Sequence, residues 1–337
     1  MSKKYIIMND VHFGVRNGSQ AFMVYQSKVY NSIIKYAVKN SITHLVILGD
    51  VFDKRKTIDF SVYQFALDIF KRFADNGINI IISLGNHDVY YKDTNKLNSP
   101  EMLLGHLPNV KVLTECGVLD DTHNIGIMPW ITQDNSEECQ TFIKDNKFDA
   151  LLGHFEISGF VMHKGGITLN HGLKQGLFSH HKNVYSGHYH YKSNIGNIQY
   201  LGSQFQFTWS DADDTKFFHV LDSNTGFIQT IAIEEQMYTV LNEIPKSPDD
   251  YKDMFVRIML DETPDKDDVA DLVLLAHEVK VIKVTNKADI EELETDSVDD
   301  SYDLSDKLEM VRDYATTNGL RDTGLDKIVD IFQKASL

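Results

Sequence analysis

At 337 residues with 42% apolar content, the chain is long enough for one large core, a smaller second domain and a tail. A formal charge of −16 argues against a protein that grips nucleic acid by its own bulk field, so a basic partner would have to supply part of any such grip. Two cysteines, Cys116 and Cys139, lie outside any CxxC pattern and argue against a disulfide framework or a thiolate zinc site; they read as ordinary buried or half-buried thiols.

Near the N-terminus only four apolar residues stand in a row, Tyr5 to Met8, too few for a signal-peptide core or a membrane span, and a cytoplasmic location is expected. From there short β-branched runs alternate with amphipathic stretches, as in strands and helices packed in layers. The pattern predicts a strand over 5–8, a helix over 21–40, a strand over 44–48 and a helix over 61–75. That second helix carries Val62, Phe65, Ala66, Ile69, Phe70 and Phe73 at helical spacing and ends at Asn76-Gly77. Further strands are predicted over 78–83, 124–128, 150–152, 184–186, 199–201, 217–220 and 227–233, which closes a first domain at about residue 235.

A small α+β domain is expected over 236–287, built from the apolar runs 255–260 and 279–284 around the segment 267–277. Residues 288–302 read as an acidic linker, since nine acidic residues and no Lys or Arg lie between Asp289 and Asp306. Residues 303–337 then read as a helical hairpin. Leu304, Leu308, Val311 and Ala315 form one stripe and Leu325, Ile328, Val329 and Phe332 another, separated by Asn318-Gly319. Such a hairpin either folds back on the core or, on its acidic tether, docks another protein.

The chemistry is carried by Asp, Asn and His residues placed where apolar runs end. These are Asp10 and His12, then Asp50, then Asn86-His87, then His154, and finally His188 and His190. Polar groups at the ends of neighbouring strands in a layered α/β fold converge on one rim, where such folds take ligands. In locally extended chain, residues two apart point the same way, so Asp10 is expected to pair with His12 and His188 with His190. Gly49, Gly85, Gly153 and Gly187 each stand just before one of these residues, allowing tight turns and close approach. A solitary histidine is more often a surface or hydrogen-bonded core residue, and only the ordered set makes metal binding the stronger reading. His44, His106, His163, His171, His180 and His181 lack that context.

The order NDVHFG (9–14), GDVFD (49–53), GNHD (85–88), GH (153–154) and GHYH (187–190) resembles the calcineurin-like metallophosphoesterase superfamily over roughly residues 1 to 205. The spacing, the phrase GHFEISGF (153–160), the short second domain and the helical tail look like the SbcD-type DNA repair nucleases, those of T-even phages among them. Asn9 departs from the pattern, since many relatives have Ser or Gly there. The resemblance implies a sandwich of two β-sheets flanked by helices. It implies one metal on Asp10, His12, Asp50 and His190 and a second on Asp50, Asn86, His154 and His188, with Asp50 bridging. Carboxylate, carboxamide and imidazole without thiolate suit manganese, and two close ions can stabilise attacking and leaving oxygens together.

His87 is then expected to act as the acid, with Asp53 orienting it or a nearby ligand; the alternative for Asp53 is a solvated loop carboxylate. Asp88 reads as a cap or turn residue. Lys54, Arg55 and Lys56, and more weakly Arg16 and Lys92, are candidate phosphate contacts, against which stands a basic run on a solvated helix start. Implied partners are DNA, an SbcC-type SMC-like ATPase and a second copy of the chain in a two-plus-two complex. The expected activity is that of a two-metal DNA exo/endonuclease in recombination and double-strand-break repair. A small-substrate metallophosphatase or phosphodiesterase and a non-catalytic scaffold remain the alternatives, since fold and motif do not choose a substrate.

Overall fold

A computed structural model describes residues 3–119, 123–161, 168, 171–212 and 214–283. These fall in the first of two compact units, Met1–Asp296. The acidic linker and the helical hairpin expected over 288–302 and 303–337 lie outside the described residues.

The expected sandwich of two sheets is the fold observed, and its packing follows from side-chain alternation along the strands. The first sheet runs in the order Phe227–Ala232, Phe217–Asp222, Lys4–Met8, His44–Leu48, Asn79–Ser83, Val110–Leu113, with the last four parallel. Successive residues of a strand face opposite sides, so a strand buried on both faces reads as a continuous apolar run. Ile6, Met8, Leu45, Ile47, Ile80 and Ile82 turn outward onto the helices Gln20–Lys39 and Phe60–Asp75. Tyr5, Ile7, Val46 and Leu48 turn inward.

They meet the second sheet, whose order is Ser193–Ile195, Ile198–Tyr200, Val184–Gly187, Ala150–His154, Ile125–Ile127, Gly117–Val118. Ile125, Ile127, Ala150, Leu152 and Tyr185 complete that inner core. Asp59 starts the helix Phe60–Asp75 by accepting from the Ser61 N–H at 2.7 Å, satisfying one of the donors a helix start leaves open. Beyond the sandwich, Tyr238–Leu241, Phe255–Leu260 and Glu278–Lys283 form a parallel three-stranded sheet with its own small core of Met254, Val256, Ile258 and Leu272. Cys116 and Cys139 are free thiols whose sulfurs approach to 3.3 Å. Among the described residues, no helix is long and apolar enough to cross a membrane.

Candidate metal centre

Five parallel strands from the two sheets end on one rim, and each delivers a polar side chain just past or at its last residue. Asp10 and His12 follow Lys4–Met8, Asp50 follows His44–Leu48, and Asn86 and His87 follow Asn79–Ser83. From the second sheet, His154 ends Ala150–His154, and His188 and His190 follow Val184–Gly187. The loops stay paired beyond the strands. The His12 N–H donates to the Asp50 carbonyl at 2.9 Å, that of Phe13 to Val51 at 2.8 Å and that of Asp53 to Phe13 at 3.0 Å.

Tight packing here needs unusual backbone. Asp10, His12, Asp50 and His188 have φ of 47°, 48°, 53° and 90°, a region that L-residues with side chains seldom occupy and that clusters at functional sites. Gly49 has φ +82°, and a Cβ there would lie 2.5 Å from His154 Nδ1 and 2.6 Å from the Gly85 Cα. The alternation expected of extended chain holds for one pair and fails for the other. Asp10 and His12 do share a cluster, but His188 and His190 diverge: Asp10, His12 and His190 form one group and Asp50, His154 and His188 another, with ligand atoms within 4.8 Å of each other in each. Positive φ at Asp10, His12 and His188 takes all three out of extended backbone, so alternation alone does not decide which of them share a cluster.

All the residues expected to bind metal, namely Asp10, His12, Asp50, Asn86, His154, His188 and His190, come together. His154 donates through Nδ1 to the Leu48 carbonyl at 2.8 Å, so its neutral form turns a lone pair at Nε2 toward Asn86 Oδ1 at 2.9 Å and Asp50 Oδ2 at 3.3 Å. His188 Nδ1 lies 3.1 Å from the same Asn86 oxygen, and His12 Nε2 lies 3.1 Å from His190 Nε2. Acceptors converging on acceptors repel unless a proton or cation sits among them. The donor set of imidazoles, carboxylates and one carboxamide, without thiolate, fits divalent cations of the manganese and iron kind.

The electrostatics carry the same signature. Burial works to raise the Asp50 carboxyl, but His154, His87 and His12 outweigh it and hold Asp50 well below the usual carboxylate range. Burial likewise opposes charge on His154, and Asp50 overcomes it, lifting the imidazole to about 9. His12 and His188 are driven well below the normal histidine value, first by burial. Burial raises Asp10.

His87 is held beside this cluster rather than in it. Its N–H donates to Asp50 Oδ1 at 2.8 Å, its Nδ1 lies 2.6 Å from the Asp53 carbonyl oxygen, and its ring meets His12 edge-on with centroids 5.0 Å apart. The Asp53 carboxylate lies 3.7 Å from His12 Nδ1. Asp88 is fully buried and does more than turn the chain: its carboxylate accepts from the N–H groups of Asp50 at 2.9 Å, Val51 at 2.8 Å and Gly85 at 2.8 Å. Burial, followed by the charge of Asp50, pushes its carboxyl up to about 7.

The candidate phosphate contacts scatter. Arg16 donates from Nε and Nη2 to the Phe207 carbonyl, each at 3.1 Å, and Lys54 donates to Asn17 Oδ1 at 2.9 Å. Lys56 sits over the Tyr90 ring at 5.8 Å, Arg55 is half-buried, and Lys92 is exposed next to Tyr91. The run 54–56 lies in a loop ahead of the helix cap at Asp59, not on the helix start.

Four contributors escaped sequence reasoning. Trp130 packs on His154 and His188 at 5.8 and 5.4 Å, and Phe207 on His12 and His190 at 5.4 and 4.9 Å. Buried Asn9 donates to the Gly202 carbonyl at 2.9 Å and to Asp10 Oδ2. Lys216, buried between Asp211 at 2.6 Å and Asp214 at 2.8 Å, steadies the loop of Phe207, because Asp211 also accepts from the Phe207 N–H at 2.9 Å. Trp130 had a usable signal: it follows the apolar strand Ile125–Ile127 closely, just after Met128-Pro129.

Two sheets ending on one rim, with two clusters of histidine and carboxylate that could each hold a metal ion, form a metallophosphoesterase-type architecture. Residues 3–192 match the family model for calcineurin-like phosphoesterases, and the chain belongs to that family. It is similar to exonuclease subunit 1 of Enterobacteria phage T4, with 31% identity over 306 residues covering 88% of this chain and 89% of that one. Among solved structures it is similar to a novel archaeal phosphodiesterase at 12% identity and a TM-score of 0.35, over 68% of this chain and 99% of the other.

Proposed function

We propose that the chain is a two-metal DNA exo/endonuclease, the nuclease subunit of a recombination and double-strand-break repair complex. The observation that carries the metal reading is the position of Asp50 Oδ2, 3.3 Å from His154 Nε2 and 3.7 Å from His12 Nε2, so that one carboxylate oxygen reaches a member of each cluster. Asp10, His12, Asp50 and His190 would hold one cation, and Asp50, Asn86, His154 and His188 the other, manganese being the ion that best suits the set. Bound there, the pair would supply Lewis acidity toward a phosphoryl oxygen and a water acidified to near neutral pH.

The chain's own groups do the rest. His87, with Nδ1 committed to the Asp53 carbonyl, would in its doubly protonated form offer Nε2–H to the scissile phosphate, where that proton stabilises charge or passes to the departing sugar oxygen and leaves the ring neutral. Asp53 is a positioning residue on two counts, through its carbonyl on His87 and its carboxylate beside His12. Asp88 fixes the turns that present Asp50 and Asn86.

DNA as substrate is supported by the likeness to an exonuclease subunit, and the cations Lys54, Arg55 and Lys56, directly after Asp53 in the chain, are the candidates for phosphate contact. Phosphate contacts position without reading sequence, so cleavage is expected to follow ends and strandedness. The partners are an SbcC-type ATPase, docked through residues 303–337, and a second copy of the chain, with the complex working in the cytoplasm. The deciding experiment pairs metal analysis with cleavage of end-labelled linear and hairpin DNA and of a small phosphodiester. His87→Ala is expected to keep both metals and lose most turnover, whereas Asp50→Ala loses metal and activity together. A wild-type protein that hydrolyses the small ester but no DNA would return the substrate to the phosphatase class.

A further inference from the structure

Immediately after Asn86, His87 and Asp88, the chain forms a two-stranded ribbon, Val89–Tyr91 paired with Thr94–Asn98. Its base is clamped to the site, because the Ser99 N–H donates to the Asp88 carbonyl at 2.8 Å and Asn95 Nδ2 to the Thr114 carbonyl at 2.8 Å. On this anchored ribbon stand two neighbouring aromatic rings, Tyr90 and Tyr91, 37% and 53% exposed, with centroids 4.8 Å apart at an angle of 76°. Tyr91 pairs across the ribbon with Thr94, so neither strand pairing nor core packing requires an aromatic there.

Charge around the rings runs against that of the whole chain. Lys56 lies over the Tyr90 ring at 5.8 Å, and the ribbon itself holds Lys92 and Lys96. Carboxylates beside these cations include Asp93 in the ribbon turn and Asp134, which pairs with Lys96 at 3.5 Å. Exposed aromatic rings interleaved with cations are the chemistry that holds unpaired nucleic acid, where every base offers a π-face and the phosphates meet the cations. The three residues from His87 to Tyr90 span at most about 10 Å, a few nucleotides from a phosphate at His87.

We propose that Tyr90 and Tyr91 are a stacking platform for unpaired bases flanking the scissile phosphate, selecting frayed or single-stranded DNA over intact duplex. The inference rests on the nuclease reading above and adds to it a specificity-determining subsite. Two rings available to bases imply preference for strand ends and open regions without preference for sequence, because stacking tolerates every base.

The test uses the full-length protein in EDTA, which permits binding without cleavage. Fluorescence anisotropy is measured on a single-stranded oligonucleotide and on a blunt duplex, for wild type, Tyr90→Ala/Tyr91→Ala and Tyr90→Phe/Tyr91→Phe. The alanine pair is expected to weaken single-strand binding about tenfold or more and duplex binding less than twofold, while the phenylalanine pair binds as wild type. Photocrosslinking of 5-iodouridine oligonucleotides to wild type, mapped by peptide mass, is expected at Tyr90 or Tyr91 and needs no variant to fold. Unchanged single-strand affinity in the alanine pair, crosslinks confined to other residues, or a changed oligomeric mass without a changed DNA affinity would each overturn the platform. Wild type that cleaves DNA with manganese while the alanine pair binds normally defeats this inference alone; wild type that neither binds nor cleaves DNA defeats the nuclease reading beneath it.

Discussion

Replacing Asp88 by Asn tests whether one buried carboxylate organises the rim. In the native chain Oδ1 accepts from Val51 and Oδ2 from both Asp50 and Gly85, so three backbone donors depend on two oxygens. An asparagine keeps one acceptor oxygen and turns an amide NH2 toward the remaining N–H, leaving a backbone donor and the amide itself unpaired where Asp88 is fully buried. Each unpaired buried group costs about 1–3 kcal/mol, which sums to roughly 3 kcal/mol here, or about 4 °C in Tm for a chain of this size. Because the donors belong to Asp50 and its neighbours, manganese affinity is expected to fall about tenfold alongside stability. Urea unfolding of the metal-free protein and calorimetric titration with manganese measure the two effects separately. A variant with unchanged midpoint and unchanged affinity would refute the organising role, and lost stability with intact affinity would reduce Asp88 to a purely structural group.

The other predictions come from the same geometry. Manganese binding at pH 7.5 should release protons, because Asp50 lifts His154 to about 9 and a ligand must give up its proton; calorimetry in buffers of different ionisation enthalpy would expose a proton-independent reaction. Gly49→Ala should cost metal affinity about tenfold through strain at φ +82° and the clash with His154 Nδ1, and equilibrium dialysis checks it. His219 is wholly buried, and burial holds its imidazole down at about 4, against 6.5 for an ordinary histidine. The unfolded chain therefore binds the extra proton, and stability present above pH 6.5 is lost as pH falls toward 4, by roughly 3 kcal/mol from this residue. Urea midpoints at pH 7 and 4.5 should converge partly in His219→Gln, and an equal acid loss in that variant would count against the assignment. Deleting residues 303–337 should end co-purification with the proposed ATPase partner while metal-dependent hydrolysis of a small ester persists.

Strands of the sandwich were legible because burial on both faces leaves little choice of residue. The run His44–Leu48 stands out as apolar against polar flanks, and its residues divide between two cores. The small elements were not legible. The ribbon Val89–Tyr91 and Thr94–Asn98 is exposed along much of its length, and the helix Ser136–Asp145 buries only Cys139 and Ile143, so neither writes a strong pattern. Among site residues, those with metal-binding chemistry announced themselves at strand ends. Trp130, Phe207 and Lys216 act by packing or by holding a loop, and such partnerships depend on tertiary contacts between segments far apart in the chain. The split of His188 from His190 ran against simple alternation along extended chain, yet it was legible in the family resemblance, which already set the two on different metals.

Each cluster draws on both sheets: Asp10 and His12 meet His190, and Asp50 meets His154 and His188. A nascent chain therefore lacks a full ligand set until its two last contributors have left the ribosome, nearly two hundred residues into synthesis. On the two-metal reading, a truncated translation product ending before residue 188 would carry the earlier family motifs yet lack a ligand from each cluster.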